Sequence, residues 1–282
     1  MSMRNLCVRG VLAGLLLCVC APAFALAPGL ETAPSEAELP YSGFDWSYVG
    51  QYGGGSCVAI DDYWLLSVQH YSVSTSTNVQ LGDGNTYTVA EFINAPVDPD
   101  TGKAPDLRLV RVNEKLPGYY DLYSGAPSSV VGEVAMLVGT GHTGTALAGG
   151  SRYTWDDDSA RVLRWGTNRL DSSEDREELG YLSEVFVMEF SSSDTVYEVG
   201  LADHDSGSGL FVNISSDPTA PHWVLAGVGA YAYSAVPSAY DTNRAIALND
   251  DYRNWIAETV PEPATMLLLG AGGAALLRRR RR

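Results

Sequence analysis

Three residues of this chain carry side chains that could together break an acyl bond. LLSVQH ends at His70, APDLRLVRV holds Asp106 near its start, and ADHDSGSGLFV sets Ser206 in a glycine-rich turn. A hydroxyl is a poor nucleophile at neutral pH. An imidazole can take its proton and later return it to the leaving group, while a carboxylate fixes the imidazole's tautomer. Each residue alone is ordinary; the set, in the order His, Asp, Ser, supplies a base, an orienting acid and a nucleophile. That order argues against an esterase of the α/β-hydrolase class, where Ser comes first, and Ser206 lacks the G-x-S-x-G elbow.

Strands must position these residues. Short runs such as SYVGQY, GSCVAI, YWLLSVQ, LRLVRV, EVAMLVG, EVFVMEF, GLFVNI and WVLAGVGAYA alternate with Gly, Asp and Ser clusters. Within NVQLGDGNTYTVAEFI, Gly82-Asp83-Gly84-Asn85 reads as a hairpin turn. Only ALNDDYRNWIAETV has helical spacing, with Ala247, Tyr252 and Trp255-Ile256 on one stripe, which predicts a helix over about 244–257. The stretch Leu116 to Gly132 is the candidate linker between two strand-rich halves, about 41–120 and 130–240, and suggests two small barrels.

Over nearly the whole body the sequence resembles the trypsin and chymotrypsin family of serine endopeptidases. His70 ends a segment similar to the family's T-A-A-H-C, Asp106 opens one similar to D-I-A-L-L-R-L, and Asp205-Ser206-Gly207-Ser208-Gly209-Leu210-Phe211 is similar to D-S-G-G-P-L-F. RVLRWGTNRL and the terminal NWI helix look like bacterial members. The resemblance implies an all-β fold over 41–259, two six-stranded antiparallel Greek-key barrels with a short C-terminal helix. It also implies peptide hydrolysis by His70, Asp106 and Ser206 through an acyl-enzyme, with no cofactor.

The same resemblance makes the backbone N–H groups of His204 and Ser206 the oxyanion hole and Asp205 the loop-stabilising carboxylate. It puts Gly200, Tyr231 and Ala232 in the substrate pocket. Gly200 stands where trypsin-like members carry the Asp that binds Lys or Arg, so an uncharged residue is expected before the cut bond unless Asp203 supplies the charge. Family zymogens are cut after Lys or Arg to give an ammonium that pairs with the equivalent of Asp205. No Lys or Arg lies between Arg9 and Lys103, so Asp205 needs another partner. His204 stands where the family has Gly, and its side chain is expected to restrict the peptide that aims the N–H. That departure supports the rival reading, a catalytically inactive trypsin-like surface or matrix binding protein.

His142 in GTGHTG and His222 read as ordinary surface residues, and without a His-x-x-x-His or Cys pair no metal is expected. The acidic stretches 98–100, 156–158 and 171–178 read as solvated faces, with no EF-hand spacing for calcium. Cys57 reads as a small buried apolar residue.

The ends of the chain read as addresses. Residues 1–25 combine Arg4 and Arg9, an apolar run and Ala23-Phe24-Ala25, a signal peptide cut by signal peptidase. Cys7, Cys18 and Cys20 leave with it, so Cys57 has no partner for an internal disulfide. Residues 26–40 read as a linker. The last segment, 260–282, holds Pro261-Glu262-Pro263, an apolar run over 264–277 expected as a short transmembrane segment, and Arg278 to Arg282. It resembles the PEP-CTERM sorting tail of Gram-negative bacteria. That implies transient insertion in the inner membrane, removal by an exosortase and delivery to the outer surface or extracellular matrix. The whole chain has a formal charge of −16, and because seven of its cations lie in the two end segments the body is more acidic still. Such a body repels phosphates, so a nucleic-acid partner is not expected.

Overall fold

The computed structural model describes residues 27–28, 41–142, 144–146, 153–155, 161, 163–191, 194–232 and 242–260. In chain order the strands begin with β1 (Ala27–Pro28), β2 (Val49–Tyr52), β3 (Gly55–Ala59), β4 (Trp64–Ser67), β5 (Val79–Leu81), β6 (Thr86–Tyr87), β7 (Val89–Asn94) and β8 (Arg108–Val112). They continue with β9 (Val134–Gly139), β10 (Gly144–Ala146), β11 (Tyr153–Trp155), β12 (Arg164–Arg169), β13 (Ser172–Glu178) and β14 (Tyr181–Glu189). The last are β15 (Val199–Gly200), β16 (Gly209–Asn213), β17 (Trp223–Ala232) and β18 (Thr242–Ala247), followed by helix α1 (Asp250–Thr259).

Two antiparallel sheets carry the fold, one in the order β6-β5-β2-β3-β4-β8-β7 and one in the order β12-β9-β16-β17-β18-β14-β13. Each has seven strands where six were expected. Alternating side chains explain why so many strands read as unbroken apolar runs. Ala135 and Leu137 of β9 enter the second sheet's own core, whereas Met136 and Val138 enter the cluster between the sheets. Likewise Cys57 and Ala59 of β3 face the first sheet's interior, and Val58 faces the seam. Tyr87 of β6 and Val89 of β7, from opposite edges of the first sheet, share that interior cluster, so the sheet curls round it. Cys57 is buried, and burial pushes its thiol far above the ordinary value, in line with a core role.

The segment expected to join the halves runs between β8 and β9 and carries a single 3₁₀ turn, Pro127–Val130. The expected turn at 82–85 links β5 and β6, with Gly84 at φ +81°. The helix, however, begins later than its spacing predicts. Asn249 caps it by accepting from the Tyr252 N–H, while residues 242–247 form β18 between β14 and β17. The helical stripe holds from Tyr252 to Ile256, while strand pairing on both sides takes residues 244–247. The acidic stretch 171–178 is also a strand for most of its length: β13 is an edge strand paired only with β14, and charges on it block further pairing. The stretch expected as a plain linker, 26–40, contributes β1, which pairs with β15.

Among the described residues, no helix is long and apolar enough to cross a membrane. The expected signal peptide and the apolar run at 264–277 lie outside the described residues.

Candidate active site

His70 and Asp106 meet between β4 and β8, which pair in register from Trp64↔Arg111 to Ser67↔Arg108. The His70 Nδ1 lies 2.6 Å from Asp106 Oδ2. Asp106 is fully buried, yet both its oxygens are satisfied: Oδ1 accepts from the N–H groups of Gln69 and His70, each at 2.9 Å. The Tyr231 hydroxyl donates to Oδ2 at 3.1 Å, and the Asp106 N–H in turn donates to Ser183 Oγ at 3.1 Å. Arg108, also buried, clamps the chain around the histidine through the carbonyls of Gln69 (3.1 Å) and Tyr71 (2.9 Å). A carboxylate cannot donate, so the His70 nitrogen facing it carries the proton and Nε2 keeps the lone pair.

Ser206 reaches the same region from the turn before β16. Its Oγ donates to the Ala230 carbonyl at 3.0 Å, one residue before Tyr231, and its own carbonyl accepts from the Ser56 N–H at 2.8 Å. A Cβ at Gly207, which has φ +93°, would stand 1.9 Å from the Ser56 carbonyl oxygen, so this turn requires glycine. Tyr71 packs against His70, with ring centroids 4.5 Å apart. Burial pushes its phenol up to about 12, partly offset by a hydrogen bond with the Ser206 side chain.

His204 adopts φ +69°, a left-handed conformation that costs a non-glycine residue about 1–2 kcal/mol. The histidine thus occupies a conformation that favours glycine. Its N–H donates to Asp203 Oδ1 at 3.1 Å, so one expected oxyanion donor already holds an oxygen anion of this chain. Among the described residues the Ser206 N–H has no partner.

Asp205 is buried and accepts from the N–H groups of Gly141 (2.7 Å) and Ala202 (2.9 Å). Those amides, with Arg161 and Arg164 nearby, are the partners it finds without a cut ammonium. Burial nevertheless pushes its carboxyl from 3.8 up to about 7, against those four groups. Between these two values the native state holds a proton that the unfolded chain has lost, so stability falls as pH rises from about 4 to about 7 and then levels. Asp205→Asn should flatten that part of the curve; urea midpoints measured across the window check this, and an unchanged slope would assign the titration elsewhere.

The three expected pocket residues serve different ends. Gly200 is buried in β15, where an added Cβ would stand 2.9 Å from Phe190 and 3.1 Å from the Asn243 amide. Ala232 pairs with Asn243 across β17 and β18, and packs on the second core. Tyr231, expected in the pocket wall, is also a partner of Asp106, to which its hydroxyl donates. Asn243 lies against both smaller residues, buried, with its Oδ1 accepting from the Leu201 N–H at 2.9 Å, a contact with no signal in the sequence. The segment 233–241 beside it lies outside the described residues.

His222 is exposed, as expected. His142 is not an isolated surface residue: with Asp203 and His204 it forms a group whose ligand atoms all lie within 4.8 Å of one another. Short spacings do not reveal this cluster, because it joins two loops about 60 residues apart in the chain. Of the acidic stretches, Asp98 Oδ1 caps its own turn at the Asp100 N–H (2.7 Å), and Glu174, Glu177 and Glu178 pair with Arg244, Lys103 and Arg176. Residues 156–158 lie outside the described residues.

Residues 259–282 match the PEP-CTERM protein-sorting motif. No curated protein matches the chain. Among solved structures it is similar to that of HBP, at 13% identity over 77% of this chain and 94% of that one, with a TM-score of 0.51. It is equally similar to neuropsin, a serine protease expressed in the limbic system of mouse brain, at 16% identity over 76% of this chain and 94% of that one, again with a TM-score of 0.51. The architecture is thus that of trypsin-like serine proteases, joined to a PEP-CTERM tail.

Proposed function

We propose that this chain is an exported serine endopeptidase acting through His70, Asp106 and Ser206. The observation that supports it most is the buried Asp106 held by four donors, with His70 Nδ1 at 2.6 Å. A surface ion pair would not justify that much buried polar structure, since an unpaired buried carboxylate is costly. In the reaction Ser206 Oγ attacks the scissile carbonyl carbon while His70 Nε2 takes its proton. The oxyanion is held by the Ser206 N–H and, once Asp203 swings away, the His204 N–H. The tetrahedral intermediate collapses as His70 passes the proton to the departing amine. Water then enters by the same route in reverse, freeing the acid and restoring Ser206. The substrate is a protein or peptide, with an uncharged residue favoured before the cut bond by Gly200, Ala232 and Asn243.

Labelling the protein with a fluorophosphonate, beside a Ser206→Ala control, tests the proposal: Ser206 Oγ displaces fluoride from phosphorus only if the base is in place. A second reading, an inactive binding protein, draws on two observations: Ser206 Oγ is engaged with Ala230 and the His204 N–H with Asp203. Failure to label a folded protein would favour it.

The proposal includes the two addresses: removal of residues 1–25 by signal peptidase, and exosortase cutting within the tail after transient insertion of 264–277 in the inner membrane. The mature domain, 41–259 behind the 26–40 segment, then resides at the outer surface or in the matrix. Two prolines around Glu262 disfavour a helix there, which suits a segment that a processing enzyme must recognise. Replacing Pro261-Glu262-Pro263 with alanines should leave full-length protein in the inner-membrane fraction. Intact-mass detection of Arg282 on surface protein would instead indicate an ordinary anchor.

A further inference from the structure

We propose that His142, Asp203 and His204 bind a divalent transition-metal ion of the zinc type, and that the bound ion shuts the oxyanion donor at residue 204. The second half rests on the reading under Proposed function; the first does not.

Two loops build the site. His142 follows β9, Asp203 and His204 precede Ser206, and the His142 N–H donates to the Asp203 carbonyl at 2.7 Å. One residue to either side, the Gly141 N–H holds Asp205 at 2.7 Å, so the loops are joined twice. The His204 Nδ1 faces the Gly54 carbonyl. A carbonyl can only accept, so Nδ1 carries the proton and Nε2 presents its lone pair, the arrangement by which an outer hydrogen bond orients a metal-binding imidazole. That Nε2 lies 3.9 Å from Asp203 Oδ2, and the His142 ring centroid is 4.2 Å from that of His204.

Ligand atoms around tetrahedral zinc, with bonds of about 2.0–2.1 Å, stand roughly 3.3 Å apart. The limit of 4.8 Å here therefore closes by shifts of the ligand atoms of about 1–2 Å, and Asp203 Oδ2, at 3.9 Å from His204 Nε2, needs less than that and no change of rotamer. Two imidazoles and one carboxylate suit zinc and its neighbours, with a water completing the shell, whereas calcium and magnesium prefer oxygen. Asp203 is exposed and both histidines are half-buried, so an ion can enter from solvent, drawn by the acidic body.

The consequence for the loop follows from Asp203. Its Oδ1 already accepts from the His204 N–H, and an ion held by the Asp203 carboxylate and His204 Nε2 fixes that rotamer. The N–H is then unavailable to a substrate oxyanion until the ion leaves.

Calorimetric titration of the chelator-treated full chain with zinc, and separately with calcium, tests the site. One zinc per chain is expected, with calcium at least about 100-fold weaker. His142→Ala and Asp203→Asn should each weaken zinc at least about 100-fold, the upper end of the roughly 10–100-fold typical of losing only an outer partner. His70→Ala should retain it. Absence of zinc binding, or binding lost in His70→Ala and kept in both other variants, overturns the site. For the gate, the fluorophosphonate labelling rate of the wild type should fall at least about 10-fold in zinc and recover in chelator, while that of His142→Ala should not respond. A rate unaffected by bound zinc overturns the gate. If nothing labels with or without zinc, the gate falls with the enzyme reading, and calorimetry alone still decides the metal site.

Discussion

Ser206→Ala and His70→Ala are each expected to reduce acylation about a million-fold, and the double variant should lose little more. The reason is geometric. Without His70 Nε2 the Ser206 proton has no acceptor stronger than the Ala230 carbonyl it now engages at 3.0 Å. Without Ser206 Oγ the base has no nucleophile to activate. Removing either leaves only the oxyanion donors and substrate binding, so the second loss falls on machinery already stopped. Stopped-flow or gel-based labelling rates, with unfolding midpoints as a control, measure this. Additive losses, or a Ser206→Ala variant that still labels, would assign the reactive hydroxyl elsewhere. Ser206 Oγ must rotate from Ala230 to reach the base, which is compatible with a resting state, because catalytic hydrogen bonds often form only when substrate docks.

How far the sequence alone led can be seen in particular residues. The proposed roles of His70, Asp106 and Ser206 rest on local motifs beside strand ends, which a sequence displays, and strands buried on both faces announce themselves as apolar runs. Strand β13 was not, since a two-sided exposed edge strand rich in Glu and Asp carries no apolar period. Strand β18 was missed because its six residues are too few to show a period of their own beside the helical stripe that follows, and only its two neighbours decide. The partnership of Tyr231 with Asp106, and of His142 with Asp203 and His204, arises from strand register and loop pairing. Residues so far apart in the chain leave no spacing to read. The left-handed His204 is a further case: glycine at that position would have signalled the conformation, and the histidine hides it.

Asp106→Asn is expected to lower acylation about 10,000-fold while leaving the fold in place. An amide can keep one oxygen on the N–H groups of Gln69 and His70, which Asp106 Oδ1 now serves at 2.9 Å. Its NH₂ must then occupy the position of Oδ2, facing His70 Nδ1 and the Tyr231 hydroxyl. Both were donors to the carboxylate, so both must reorganise: the imidazole is driven to the tautomer with its proton on Nε2, where it cannot accept from Ser206. Tyr231→Phe separates orientation from charge. It removes one of four donors and leaves the carboxylate and the tautomer intact, so the loss should be about 10- to 100-fold, the worth of one hydrogen bond to a charged group. The two variants also differ in how they combine. Once Asp106 is an amide, the tyrosine has no carboxylate to hold, so adding Tyr231→Phe to Asp106→Asn should cost less than 10-fold. A full 100-fold further loss in the double variant would mean that Tyr231 acts on the substrate, as a pocket wall does, and not through Asp106.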